Sequence, residues 1–388
     1  MKANLLYSLG LLLCLYCSTA FAQKPVEEWA RWYDSKGPTT EDPLNNKIIA
    51  TDADGNIYVT GTILNNNTSD RGIVTIKYSP EGKEQWVKQY GPGPEITSAS
   101  GIAVDNQGGV YVTSNSVIIR YDAASGEKSW DSPHGINAAA IAVDNQGGVY
   151  ITGSAYNDNT SHDYMTARYE AATGKRTWIS SYNGASNDTD FATSIAVDNS
   201  GSVYVTGISY NRTAGSDYAT VRYDATTGKE IWHERYSAGG YFWDAAIAVD
   251  NKGGVFIAGT TYNASTGYDI ATVGYDVTTG QKNWDRTYNR EGNGFDWATD
   301  ISTDNEGSVY VTGYSGGTFN DSDFTTIRYD ATTGEQKWVT FYNGKNSKWD
   351  QSIAIATDSF GGVYVTGTSQ VEENSYVFIT IRYNAATG

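Results

Sequence analysis

Cysteine is nearly missing from this chain: of 388 residues only Cys14 and Cys17 are cysteines, and both sit in an apolar N-terminal run. The remainder has no sulfur for a disulfide, a thiol nucleophile or a thiolate metal site. Histidine is almost as scarce. His134, His162 and His233 each occupy a different repeat context, so a histidine triad or metal centre has nothing to converge from. Basic charge is outnumbered, with Lys+Arg 27 against Asp+Glu 44 and a net charge of -17. A surface of that sign without a basic cluster repels phosphate backbones, which excludes nucleic acid as a partner. No stretch carries a helical apolar period, none is long enough for a membrane span, and none forms a phosphate-binding glycine loop.

The one apolar run, residues 5 to 17, follows Lys2 and precedes Ala20-Phe21-Ala22, a small-x-small cleavage pattern. Residues 1–22 therefore read as a signal peptide cut after Ala22, with residues 23–388 as a single mature domain. The bulky Tyr16 before Cys17 disfavours the alternative, a lipid anchor at that cysteine. A secreted, periplasmic or cell-surface location is expected.

Glycine and aromatics are abundant instead, with 42 Gly, 30 Tyr, 11 Trp and 10 Phe. They are arranged in a repeat. An Asp before a glycine turn recurs at Asp52, Asp105, Asp144, Asp198, Asp250, Asp304 and Asp358, spaced 53, 39, 54, 52, 54 and 54 residues apart. These mark repeats 1 to 7. Each reads as four short strands punctuated by Asn, Asp and Gly. In repeat 4 they are Ser194-Ile195-Ala196-Val197, Val203-Tyr204-Val205-Thr206, Tyr218-Ala219-Thr220-Val221-Arg222-Tyr223 and the segment carrying Trp232 and Tyr236.

Small residues on the first strand and Trp and Tyr on the last fit a wedge that widens outward, the shape of a propeller blade. The expected fold is thus all-β, a seven-bladed β-propeller of four-stranded antiparallel blades. The pattern Trp-x-x-x-Tyr marks the outer strand at Trp86, Trp178, Trp232, Trp284 and Trp338, and Trp130 is a copy without the Tyr. A further copy, Trp29 and Tyr33, stands before any inner strand, while the chain stops at Gly388 where an outer strand is due. The N-terminal strand is expected to complete the last blade and remove its open edge. Repeat 2 is the irregular one, with a short Ser114-Asn115-Ser116 loop and a short crossing at His134-Gly135.

The run 198 to 207, Asp-Asn-Ser-Gly-Ser-Val-Tyr-Val-Thr-Gly, resembles the bacterial seven-bladed β-propeller repeat called SBBP, and the likeness extends over all seven repeats. That resemblance implies the fold and a secreted or surface setting, with no uniform activity. The segment Asp224-Ala225-Thr226-Thr227-Gly228-Lys229-Glu230-Ile231-Trp232 also resembles the tryptophan-docking motif of quinoprotein dehydrogenases and of the propeller subunit of the outer-membrane assembly machine. Those proteins usually have eight blades, and the dehydrogenases often set a vicinal Cys pair against the quinone. This chain offers seven repeats and no such pair, so the shared motif reads as blade packing and no cofactor is implied.

Strand alternation puts the Asp-x-x-Gly and Thr-Gly turns on one face and the longer, variable connections on the other, where function is expected. The crossings on that variable face carry aromatics beside carboxylates: Asp190 and Phe191, Trp243 and Asp244, Asp296 and Trp297, Trp349 and Asp350. An aromatic plane with an adjacent acceptor suits a sugar ring. The same residues could instead plug each crossing into the blade below. The Asp series from Asp52 to Asp358 is expected to head tight turns. Asp52 to Asn56 only faintly resembles a calcium loop, and no metal site is assigned. The recurring Arg120, Arg168, Arg222, Arg328 and Arg382 are expected to pair with carboxylates of neighbouring blades.

No catalytic constellation is visible. The leading expectation is a secreted or envelope binding scaffold for a glycan or a protein. The alternatives are a carbohydrate-active lyase or hydrolase using Asp244, Asp296 or Asp350, and an envelope-protein assembly factor.

Overall fold

The structure, a computed structural model, describes residues 49–388 except 65–70, 94–97, 199, 212–214, 238–241, 251, 293, 305, 318–320, 345–347, 359 and 373–374. The leader and the outer strand expected at Trp29 and Tyr33 lie outside the described residues.

Repeat 4 shows how the sequence builds its sheet. Strands Asp190–Val197, Ser202–Asn211, Gly215–Asp224 and Glu230–Tyr236 pair in chain order, each antiparallel to the last. The β-branched and aromatic residues of its two middle strands are buried on both faces: Val203, Tyr204, Val205, Thr206, Thr220 and Val221 are all fully enclosed. A sheet covered on only one side would alternate buried and exposed residues. Here the sheets of repeats 2 to 6 are each sandwiched between their neighbours, and the apolar core is a series of layers between repeats. Trp178, Tyr164 and Tyr182 of repeat 3 share one such layer with Val203, Val221 and Tyr223 of repeat 4. Trp232 and Tyr236 of repeat 4 share the next with Ile247, Val255 and Tyr275 of repeat 5.

The layers are bolted by the outer-strand tryptophans. Each indole Nε1–H donates to a carbonyl of the next repeat: Trp86 to Ala123, Trp130 to Ala171, Trp178 to Ala225, Trp232 to Val277, Trp284 to Ala331 and Trp338 to Ala385, at 2.8–3.1 Å. The ring lies against the glycine that closes that turn. A Cβ on Gly228, whose φ is +71°, would stand 2.5 Å from Trp178. Only glycine satisfies both the left-handed backbone and the close approach. The expectation that this motif is blade packing holds.

The Asp series heads turns as expected. Asp198 Oδ1 accepts the N–H groups of Ser200 and Ser202, and its Oδ2 accepts the hydroxyl of Tyr204 at 2.8 Å. Asp52 does the same with Asp54, Asn56 and Tyr58. The recurring arginines differ from expectation. Instead of pairing with carboxylates of a neighbour, Arg120, Arg168, Arg222 and Arg382 lie over the rings of Tyr111, Tyr150, Tyr204 and Tyr364 in their own repeats, 5.7–5.9 Å from the centroids. Arg328 donates to Ser308 of its own repeat, and Arg222 does cross to the next repeat, but to a carbonyl, that of Val277 at 2.8 Å. The tyrosine hydroxyl donates to the Asp and accepts the Nε–H of Arg120, Arg168 and Arg382 at 3.1–3.2 Å, which holds the guanidinium beside the ring.

The fold is thus an all-β propeller of four-stranded antiparallel blades, but the expected seven separate blades are not what the described residues contain. They form four separate four-stranded sheets, one eight-stranded sheet and one three-stranded sheet, hence five sheets of four or more strands. Two features account for the difference. Repeats 5 and 6 are welded into one sheet by a single parallel bridge between Tyr268 and Phe295. Repeat 7 contributes only Asp350–Thr357, Gly362–Glu372 and Ser375–Asn384.

Candidate functional site

Antiparallel pairing carries the connections between second and third strands, and the crossings between repeats, to one face. The crossings give this face its chemistry, and the structure separates their aromatics from their carboxylates.

Asp190, Asp296 and Asp350 stand at the same place in their repeats, and all three are completely buried. Each is held by a backbone N–H six residues earlier: Gly184 to Asp190 at 2.7 Å, Arg290 to Asp296 at 3.0 Å and Gly344 to Asp350 at 2.6 Å. Burial raises the carboxyl pKa of each above the usual aspartate value. These carboxylates each pin a different crossing. Asp244 differs in its backbone, which is left-handed at φ +38°, and in its residue exposure, yet desolvation of its carboxyl raises its pKa as well.

The aromatics lie outside the pins. Phe191 is half-buried against His162 at 5.4 Å and Tyr210 at 6.4 Å, and His162 in turn meets Tyr156 at 5.5 Å. Between repeats 5 and 6, Trp297 stacks on Phe295 at 5.4 Å and on Tyr314 at 6.4 Å, and Tyr268 joins Phe295 to Tyr262. Trp349 meets Tyr376 edge-on at 5.5 Å. The side chain of Trp243 lies outside the described residues. The outermost rings, Tyr156 at 68%, Tyr376 at 51% and Tyr262 at 39% exposure, form the aromatic surface of this face. Sequence reading passed over these three. Each ends a second strand or begins a third, and the recurrence of Gly-x-x-Tyr-Asn at Tyr156, Tyr210 and Tyr262 was the signal that could have found two of them.

Beside Tyr156 lies a depression of about 540 Å3, lined by Ala155, Asn157, Asp158, Asp163, Met165 and Ser181. The two histidines of this region are unlike. His134 is buried where repeat 2 crosses to repeat 3, and desolvation lowers its pKa to about 4, so it is neutral at physiological pH. His162 takes part in the aromatic row. Among the described residues no group of three His, Cys, Asp or Glu is placed to hold a metal ion, and no helix is long and apolar enough to cross a membrane.

With this geometry in hand, comparison with known proteins is informative. A family model described as outer membrane protein assembly factor BamB matches residues 70–300 and 196–365. A comparison with curated proteins found no match. Among solved structures, BamB from Moraxella catarrhalis is 16% identical, with 89% of each chain covered and a TM-score of 0.48. The quinohemoprotein alcohol dehydrogenase ADHIIG from Pseudomonas putida HK5 is 14% identical over 88% of this chain and 66% of its own, with a TM-score of 0.53. A chain of the mitotic checkpoint complex is 10% identical over 84% of this chain and 88% of its own, with a TM-score of 0.56. At such identities the likeness to the dehydrogenase and the checkpoint chain is one of fold.

Proposed function

The chain belongs to the outer membrane protein assembly factor BamB family, and from that premise we propose that it is a protein-docking scaffold of the cell envelope that assists assembly of envelope proteins. The family match through the repeated body carries this reading. Its support in the geometry is a rigid, tryptophan-bolted frame presenting exposed tyrosines on the crossing face, since amphipathic rings are favoured anchors at protein interfaces. The leader is consistent with export. The buried pins Asp190, Asp296 and Asp350 hold the crossings that display those rings, and Phe191, Trp243, Asp244, Trp297 and Trp349, which belong to the crossings in sequence, are the further candidate contacts.

The same proposal includes a closed ring of seven repeats, completed by residues 27–34. Pairing register supports it. In repeats 3, 4 and 6 the third-strand residue opposite the outer Tyr is buried: Tyr164 faces Tyr182, Tyr218 faces Tyr236 and Phe324 faces Tyr342. The equivalent residue of repeat 7, Phe378, is 79% exposed. Trp29 and Tyr33 have the same spacing as Trp178 and Tyr182, so Tyr33 would cover Phe378 while Trp29 sits opposite Arg382.

Docking is tested in the cell with a photo-crosslinking residue at Tyr156 or Tyr262, and at Thr226 on the turn face as control. Crosslinks to envelope-assembly components from the first two positions are expected. Equal or exclusive crosslinking from Thr226 would overturn the assignment of the face.

A further inference from the structure

Comparing the repeats with one another exposes a carboxylate whose cation is missing. In repeat 4, Asp217 on the third strand is met by Arg235 of the outer strand at 2.7 Å, and Arg235 also donates to Ser209 at 2.8 Å. These three side chains share one face of the sheet, Ser209 pairing with Asp217, and Arg235 lying opposite Ala219. In repeat 6 the outer-strand position holds Phe341. The cation arrives from the crossing instead, Arg290 reaching Asp323 at 2.7 Å while its guanidinium lies 4.3 Å from the Phe341 ring centroid. Two different routes thus deliver a guanidinium to the same carboxylate.

Repeats 3 and 5 retain the carboxylate without either route: in repeat 5 Asp269 is buried with its Oδ1 unpaired and Thr287 stands where Arg235 does, but it is the carboxylate of repeat 3 that lines an open depression. Asp163 occupies the place of Asp217, with Ala155 where Ser209 stands and Ser181 where Arg235 stands. The crossing that leads into repeat 3 runs only from Pro133 to Asn137, too short to supply an arginine as repeat 6 does. Repeat 2 is also shorter on this face. Its third strand begins at Val117, three residues before Arg120, whereas that of repeat 3 begins seven residues before Arg168. The upper part of repeat 3 therefore stands clear of its neighbour, and the depression of about 540 Å3 opens where an arginine side chain would lie.

Asp163 lines this depression and is only 5% exposed. Its Oδ2 accepts Asn157 at 3.1 Å and Thr160 at 2.8 Å, while its buried Oδ1 has no hydrogen-bond partner. A buried carboxylate oxygen left unsatisfied is costly, and a planar guanidinium is the donor whose fork fits it best. Asp158 adds a second negative charge to the lining, which contains no Lys or Arg, and Tyr156 offers an exposed ring at the rim for cation–π contact.

We propose that the step between repeats 2 and 3 is a receptor for an arginine side chain of a partner protein, with Asp163 as its acceptor. This deepens the docking reading above and rests on it for the partner being a protein. Binding of N-acetyl-arginine amide, followed by NMR titration, tests the site without needing the partner. Saturable binding is expected, at least about tenfold tighter than that of the uncharged N-acetyl-citrulline amide. Asp163→Asn should abolish the preference. Ser181→Arg should also abolish it by filling the depression from within, with a melting temperature at or above the parent's. Should Asp163→Asn not fold, Ser181→Arg decides. Equal affinity for the two amides, no saturable binding of arginine, or undiminished binding by Ser181→Arg would each overturn the proposal. Crosslinking to envelope components is read separately, so the scaffold can stand if this pocket fails, and the pocket can stand if the scaffold reading fails.

Discussion

Replacing Gly228 with alanine probes the bolt between repeats 3 and 4, and Gly201→Ala supplies its control on the same face. Both glycines have left-handed backbones, at φ +71° and φ +86°, so alanine at either incurs about 1–2 kcal/mol of backbone strain. Their surroundings differ. A Cβ at Gly201 meets nothing within 4 Å, whereas one at Gly228 lands 2.5 Å from Cδ2 and 2.7 Å from Cε3 of Trp178. Relieving that overlap costs about 1–3 kcal/mol. If the indole retreats, its 2.9 Å bond to Ala225 goes too, worth about 1 kcal/mol. Gly228→Ala should therefore lose roughly 2–5 kcal/mol against about 1–2 for Gly201→Ala. Urea titrations followed by circular dichroism measure both, with midpoints compared at equal slope. Near-equal losses would refute the reasoning, because strain alone would then explain the glycines and the tryptophans would not be bolts.

Further expectations concern the ring's edge and its buried acids. Deleting residues 23–35, or replacing Trp29 and Tyr33 with serine, should lower the melting temperature sharply or cause aggregation by leaving Phe378 and its strand edge open; unchanged melting would count against closure. Burial raises the carboxyl pKa of Asp190, Asp296 and Asp350, so the folded state binds protons more readily than the unfolded chain at these sites. Their contribution is fully present below the unfolded value of 3.8 and is lost as pH rises through the folded values, so Asp350→Asn should gain stability relative to the parent as pH rises from the unfolded value through the folded one. Asp224 is shifted the other way by Thr227, so the parent's advantage over Asp224→Asn should be present above the unfolded value and shrink as pH falls through the folded one. Melting curves across pH for both variants check the two signs, and parallel trends would contradict the assignment.

Much of the frame was legible because a repeat states its own geometry many times. The spacing of Asp52 to Asp358 marked the units, and small inner residues with outer tryptophans indicated the wedge. The 39-residue spacing flagged repeat 2, whose shortness opens the depression beside Asp163. Side-chain direction was not legible. Asp296 and Trp297 are adjacent in sequence, yet one turns into the junction and the other onto the face, because alternate strand residues point to opposite sides. The arginines misled for a related reason. An Arg opposite a Trp on the neighbouring strand could reach outward or fold onto its own Tyr, and Arg222 does both, lying over Tyr204 while donating to the Val277 carbonyl of the next repeat. The joining of repeats 5 and 6 rests on one bridge, Tyr268 to Phe295, which no local pattern announces. The vacancy at Ser181 becomes visible only when Arg235 and Arg290 are seen reaching the same site from different segments.

The most direct test of the scaffold is its retrieval from detergent-solubilised envelopes, with enrichment of outer-membrane assembly components measured for the parent and for a Tyr156→Ser, Tyr262→Ser variant of equal melting temperature. The account predicts strong enrichment with the parent and its loss with the variant. No enrichment with the parent, or equal enrichment with both, would contradict it.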